Sequence, residues 1–269
     1  MGRIQEIIFL VLEPLAVGGA LLLTLPSLAV AGISFFRTNG LVLLVIGLSG
    51  LAILPASLST LPQQSSRVGW DQGAFFSFLG FMLLLFVYNL RLWLRHPRPS
   101  RPLLWAAVLL GGVALLLTTG RYLPPVSWAL WGDLLASGLF LGSGVLAMLL
   151  GHRYLTAPSL SMVPLRHLSY IFMGWVVWKA GAVSFNVYRL WPTPWFRAAF
   201  FLSTLEGVYL WIRLLIGLLA PAILSWMIVQ TVQERATMSA TGLLYIAMLM
   251  AILGEIMARF FLLTHDAIL

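Results

Sequence analysis

The chain has 269 residues, 61% of them apolar and 9% charged, too little charge to cover an ordinary soluble domain, so it reads as an integral membrane protein. With no cysteine it can form no disulfide, thiolate zinc site or ordinary cysteine-ligated iron–sulfur cluster, which puts any such redox centre on another chain. Sixteen basic residues against eight acidic ones give +8, but the basic residues, all arginine except Lys179, scatter along the chain; this fits topology signals and lipid headgroups better than nucleic acid, for which a clustered basic face is expected.

A helix needs about 20 apolar residues to cross the hydrocarbon core, at about 1.5 Å each. Cut at its polar and proline-rich interruptions, the chain gives eight spans, at about 6–36, 40–61, 73–95, 103–122, 128–150, 167–188, 199–232 and 243–264. The first run is too long for a secretory signal and is broken by Glu13 and Pro14, so it reads as the first span. The first and seventh runs exceed one upright helix and contain Pro14 and Pro26, and Pro221; tilt, a kink or an interfacial extension is expected to absorb the excess. Helix-breaking linkers stand at Pro62–Arg67, His96–Pro102, Pro124-Pro125 and Trp191–Trp195. No room remains for a soluble domain and no internal repeat is found, so residues 1–269 read as one all-α transmembrane bundle.

Eight spans put both termini on one side, which carries Arg3, Arg67, Arg121, Arg189 and Arg197. The opposite side carries Arg37, Arg91, Arg95, Arg98, Arg101, Arg153, Arg166 and Arg235, and positive loops stay in the cytoplasm. Both termini are therefore expected on the outer, periplasmic side of a cell's inner membrane. Trp70, Trp128, Trp131, Trp191 and Trp195 fall at the outer boundary and Trp93, Trp105 and Trp226 near the inner one, as aromatic belts should.

Seven ionisable groups lie within spans: Glu13, Asp133, Lys179, Glu206, Arg213, Glu255 and Arg259. Each costs at least a few kcal/mol at the bilayer centre and so tends to be paired or functional. Counting inward puts Glu13, Asp133, Glu206 and Arg259 roughly 6–12 Å below the outer surface, with Glu255, Lys179 and Arg213 nearer the middle. Glu255 and Arg259 are spaced for an ion pair on one helix face, and Glu206 and Arg213 could meet through a third group. Glu13, Asp133 and Lys179 are left on three helices, to find one another or water. Structural pairing explains part of this set, and proton-coupled quinone chemistry or ion translocation needs such a set; Asp133, Glu13, Glu206 and Lys179 are the proton-exchange candidates.

A bis-histidine haem needs two imidazoles at one depth, yet His96, His152 and His167 fall at inner span ends and His265 at the outer end, so no haem pair is expected. Gly18-Gly19, Gly47 with Gly50, Gly111-Gly112 and Gly138 with Gly142 suit close helix approach, not phosphate loops. The Gly151–Leu155 segment, followed by Pro158 and Pro164, could form an interfacial elbow, and the sequence assigns it no role.

Leu253-Gly254-Glu255-Ile256-Met257-Ala258-Arg259-Phe260-Phe261, in the last span and followed by His265, resembles the Gly-Glu-x-x-Gly/Ala-Arg segment closing the membrane anchors of dimethyl sulfoxide reductases, relatives of the polysulfide reductase/NrfD-type quinol-interacting subunits. Where that family carries a His-Leu-Gly-Ser-Pro-like segment after the second span, this chain reads Leu61-Pro62-Gln63-Gln64-Ser65. The resemblance implies an anchor, not catalytic alone, that holds menaquinol or ubiquinol near the outer face and exchanges electrons with an iron–sulfur partner subunit and through it a catalytic subunit. Glu255, Arg259 and His265 are then the quinone-binding candidates. A proton or solute transporter, and a purely structural membrane subunit, are the alternatives.

Overall fold

The computed structural model describes residues 2–26, 31–58, 68–94, 99–123, 126–156 and 161–269. Expectations placed on Leu61–Ser65, Arg67, Arg95, His96, Arg98, Pro124-Pro125 and Pro158 lie outside the described residues. Among those described the chain is helical, without a strand: α1 Gly2–Leu23, α2 Ile33–Leu58, α3 Val68–Leu94, α4 Arg101–Tyr122, α5 Trp128–Thr156, α6 Val163–Leu190, the short α7 Pro194–Phe200, α8 Leu205–Gln233 and α9 Thr237–His265. All but α7 are long and apolar enough to cross a membrane, which gives eight spans.

Both overlong runs turn out to be interrupted. The first helix stops at Leu23, where the Thr24 amide turns back to Leu21 O (3.1 Å) just before Pro26, which cannot continue a helix. The next begins at Ile33, so Arg37 stands inside α2 and not in a loop; its Nε and Nη2 donate to Leu92 O at the end of α3 (3.1 and 2.9 Å), a cation closing a helix C-terminus. The seventh run splits at Phe201–Thr204, where Leu202 has φ 56°, and α7 forms a separate short helix opened by Pro194 at its first position. Within α8, residues Ile212–Leu219 are π-helical, with the Ala220 amide reaching back five residues to Leu215 O, directly ahead of Pro221. An inserted π turn before a proline is a recognised way for a helix to absorb a residue without breaking. The Gly151–Leu155 segment forms no elbow and is instead the last part of α5, and the Tyr154 hydroxyl donates to the Ser161 main-chain oxygen beyond it.

The spans form two four-helix sets. Helix α1 packs on α2 and α4, and α3 closes the ring between them; α5 likewise packs on α6 and α9, and α8 closes the second ring. The crossed contacts also correspond, α1 with α9 and α5 with α4. The seam is α1 against α5, running parallel at glycines: a Cβ on Gly18 would strike the Gly138 backbone, and one on Gly142 would lie 2.6 Å from Gly19 N. Backbone contact of this kind is what small residues permit between membrane helices, where no hydrophobic force draws helices together. Two like sets joined through their first helices amount to an internal structural repeat, which the sequence reading did not find. The side that holds the start of α1 and the end of α9 is hereafter the terminal face, and the opposite side the far face.

Candidate buried ionic site

Four helices of the second set contribute charge to one point. Asp133 sits one turn into α5 and Ser137 on the next turn of the same face; Lys179 comes from α6, Arg213 from the π segment of α8, and Glu255 with Arg259 from α9. Lys179, Arg213, Glu255 and Arg259 are each no more than 1% exposed. Lys179 Nζ lies 2.8 Å from Asp133 Oδ1 and 3.3 Å from Glu255 Oε1. Arg259 Nη1 reaches Asp133 Oδ2 at 2.8 Å, and its Nη2 reaches Glu255 Oε2 at 3.0 Å. Arg213 donates to Glu255 Oε1 (3.1 Å) and, through Nη2, to the main-chain oxygen of Leu269 (3.0 Å). Ser137 Oγ accepts from Lys179 (2.6 Å) and Arg259 (2.5 Å) and donates to Asp133 O (2.9 Å), which uses its one proton and both lone pairs.

The local sequence makes this convergence possible at Gly254. A Cβ there would collide with the Gly217 backbone, and one on Gly217 would collide with Gly254, so α8 and α9 touch main chain to main chain. That contact brings Arg213, one turn before Gly217, against Glu255.

The sequence reading separated Asp133 and Arg259 in depth from Glu255, Lys179 and Arg213, whereas the structure joins all five. Its error lay in counting from Cα positions, because lysine and arginine stems bridge more than a turn of depth. The i,i+4 pair of Glu255 and Arg259 forms as expected. Arg213 meets Glu255 rather than a group shared with Glu206. Ser137 was missed; its only signal was its place four residues after Asp133.

Glu206 and His265 form a second, shallower pair toward the terminal face. Glu206 is in the first turn of α8, where an acid suits the helix dipole, and its side chain is 33% exposed. Its Oε2 lies 3.0 Å from His265 Nε2. The His265 ring stacks on Trp195 with centroids 4.0 Å apart and planes 1° from parallel. Phe196 of α7, Leu210 of α8 and Phe261 of α9 form a separate apolar cluster around this pair. His265 is six residues beyond Arg259 on α9, about 9 Å along the axis.

Glu13 does not join either group. It belongs to the first set, 0% exposed, with Oε1 accepting from Thr118 Oγ1 at 3.0 Å. Nearer the terminal face of that set, Arg121 lies 3.9 Å from Glu6 and 3.4 Å from Asp71. The sequence reading had placed Arg121 as a loop charge; it is 1% exposed.

One cavity of about 510 Å³ opens at the far face instead, lined by Pro26 after α1 and by His167, Leu168, Tyr170 and Ile171 of α6. None of the ionic residues lines it. Among the described residues no group of three or more histidine, aspartate or glutamate side chains could hold a metal ion. Comparison with known protein families, curated proteins and solved structures finds no match to this chain.

Proposed function

We propose that the chain is the quinone-interacting membrane subunit of a multi-subunit respiratory oxidoreductase, a multi-pass protein of a cell's inner membrane with its terminal face outward. The observation that carries the reading is the ionic site of the second set. It is a buried cluster in the second half of α9, and the Nε atoms of Arg213 and Arg259 are buried there without an acceptor among the described residues. Buried donors without acceptors are uncommon in a finished core and suit a ligand oxygen.

A quinone fits these donors, since its carbonyl oxygens accept hydrogen bonds while its ring and tail take apolar surface. When bound it would supply reversible two-electron, two-proton chemistry. Arg259 and Arg213 then orient the headgroup, with Glu255 fixing both guanidinium groups. Asp133 and Lys179, tied into the same cluster, can take or give a proton there, and the His265–Glu206 pair lies farther toward the terminal face. Electrons leave to an iron–sulfur partner docked on that face, and through it to a catalytic subunit, because this chain has no cysteine to hold a cluster.

The test is photolabelling of the native complex with an azido-quinone followed by peptide mapping. Label on α7 and the end of α9, around Trp195, Phe261 and His265, is expected. Label confined to His167 and Tyr170 would move the quinone to the far-face cavity and overturn this assignment.

A further inference from the structure

We infer that Glu13 is a proton-binding site in its own right: a neutral carboxylic acid within the first four-helix set, exchanging its proton with the terminal face. The inference does not rest on the quinone reading.

Helices α1 and α5 give an internal comparison. Glu13 lies five residues before Gly18, and Asp133 five residues before Gly138, the glycine that Gly18 meets at the seam. The two acids therefore hold like stations on like helices, with unlike surroundings. Asp133 is met by Lys179 and Arg259, each at 2.8 Å. Glu13 is completely buried, one oxygen takes a hydrogen bond from Thr118, and Oε2 has no partner among the described residues. Among the described residues of its set, Arg121 is the nearby cation, and it pairs with Glu6 and Asp71.

An ionised carboxylate buried without a paired cation is strongly disfavoured, and the group takes up a proton instead. In a protonated Glu13, Oε1 is the carbonyl that accepts from Thr118 and Oε2 carries the hydrogen; a buried hydroxyl without an acceptor costs far less than a buried charge. A bound metal ion would suit it poorly, since hard cations take six or so oxygen ligands and Thr118 is the hydrogen-bonding side chain found on the carboxyl. Groups for proton exchange continue outward. The Tyr122 hydroxyl, buried without a partner among the described residues, lies next to Arg121 in sequence at the terminal-face end of α4. Asp71, whose side chain is 20% exposed, brings the series to water.

Infrared difference spectroscopy of the full chain in vesicles at neutral pH reads this directly. The Glu13→Gln variant should lose one protonated-carboxyl C=O band present in the unaltered protein, and that band should shift down in heavy water. Asp133→Asn should leave the band in place. Thr118→Val, which removes the hydrogen bond and keeps the acid, should move the band to higher frequency; this arm holds even if Glu13→Gln fails to assemble. If neither the Glu13 nor the Thr118 variant alters a protonated-carboxyl band, Glu13 is ionised and the inference is wrong. A band that heavy water leaves unmoved shows a sealed acid and overturns the exchange. Neither result bears on where a quinone binds.

Discussion

Ser137 holds two cations with one hydroxyl, and through it the buried charges of the second set act as a unit: two carboxylates, Asp133 and Glu255, facing Lys179, Arg213 and Arg259. A two-residue view of Glu255 and Arg259 expects that neutralising both together would relieve the strain of neutralising one. The geometry predicts otherwise. Glu255→Gln should lower stability by about 3–5 kcal/mol, the range for breaking a buried ion pair. Adding Arg259→Met should not restore it, because Arg213 and Lys179 still face the site with Asp133 as the one remaining carboxylate. Restoration to the unaltered protein's melting temperature in detergent would show Glu255 and Arg259 to be a closed pair. The five charged members were legible in the sequence because charge is rare inside spans. Apart from Glu255 with Arg259, their partners were not, since side-chain reach erases the depth differences that sort them in the sequence, and a serine in an apolar helix ordinarily bonds its own backbone.

At the scale of elements, hydropathy was enough to find all eight spans, because a helix must satisfy its backbone internally across a membrane and so must be long and apolar. What hydropathy blurred was where a span ends when its flanks are apolar too, as at Leu23 and Phe200. Glycine spacing was a partial guide to contact: Gly18, Gly19, Gly47, Gly111, Gly138 and Gly142 sit close against neighbouring helices, but Gly112 does not, and the Gly217–Gly254 contact was not expected. Gly138 meets Pro14 and Gly18, and Gly217 meets Gly254, while Gly112 has nothing within 4 Å of the position a Cβ would take. Replacing Gly138 or Gly254 by alanine should therefore force backbones apart and destabilise by about 1–3 kcal/mol, as overpacking does. Gly112→Ala should be neutral or stabilising by up to about 1 kcal/mol, the helix-propensity gain over glycine. Thermal unfolding of the three variants in one detergent checks this, and equal effects at all three positions would mean that the seams are looser than the contacts show.

Among the described residues the two four-helix sets share one pattern of helix contacts, which the sequence conceals because many different apolar residues can make the same helix contact; the acid five residues before a seam glycine, in both α1 and α5, is the feature they share in sequence. Orientation is a whole-molecule property as well, and its expectation rests on the arginine asymmetry of the sequence. Arg121 counts less as a terminal-face charge than the sequence suggests, because it is buried against Glu6 and Asp71, and Arg37 counts less on the far face, because it lies inside α2 and donates to Leu92 O; the far-face argument then rests on Arg91, Arg101, Arg153, Arg166 and Arg235. A chain without cysteine offers a silent background for testing this by single-cysteine labelling. Ser203, in the break between α7 and α8, and Glu234, between α8 and α9, are both exposed and lie at opposite ends of α8. In intact cells a membrane-impermeant maleimide should label Ser203→Cys at once and Glu234→Cys only after permeabilisation. The reverse pattern would turn the terminal face inward and put the proposed partner on the cytoplasmic side, and labelling of both positions in intact cells would mean that α8 does not cross the membrane.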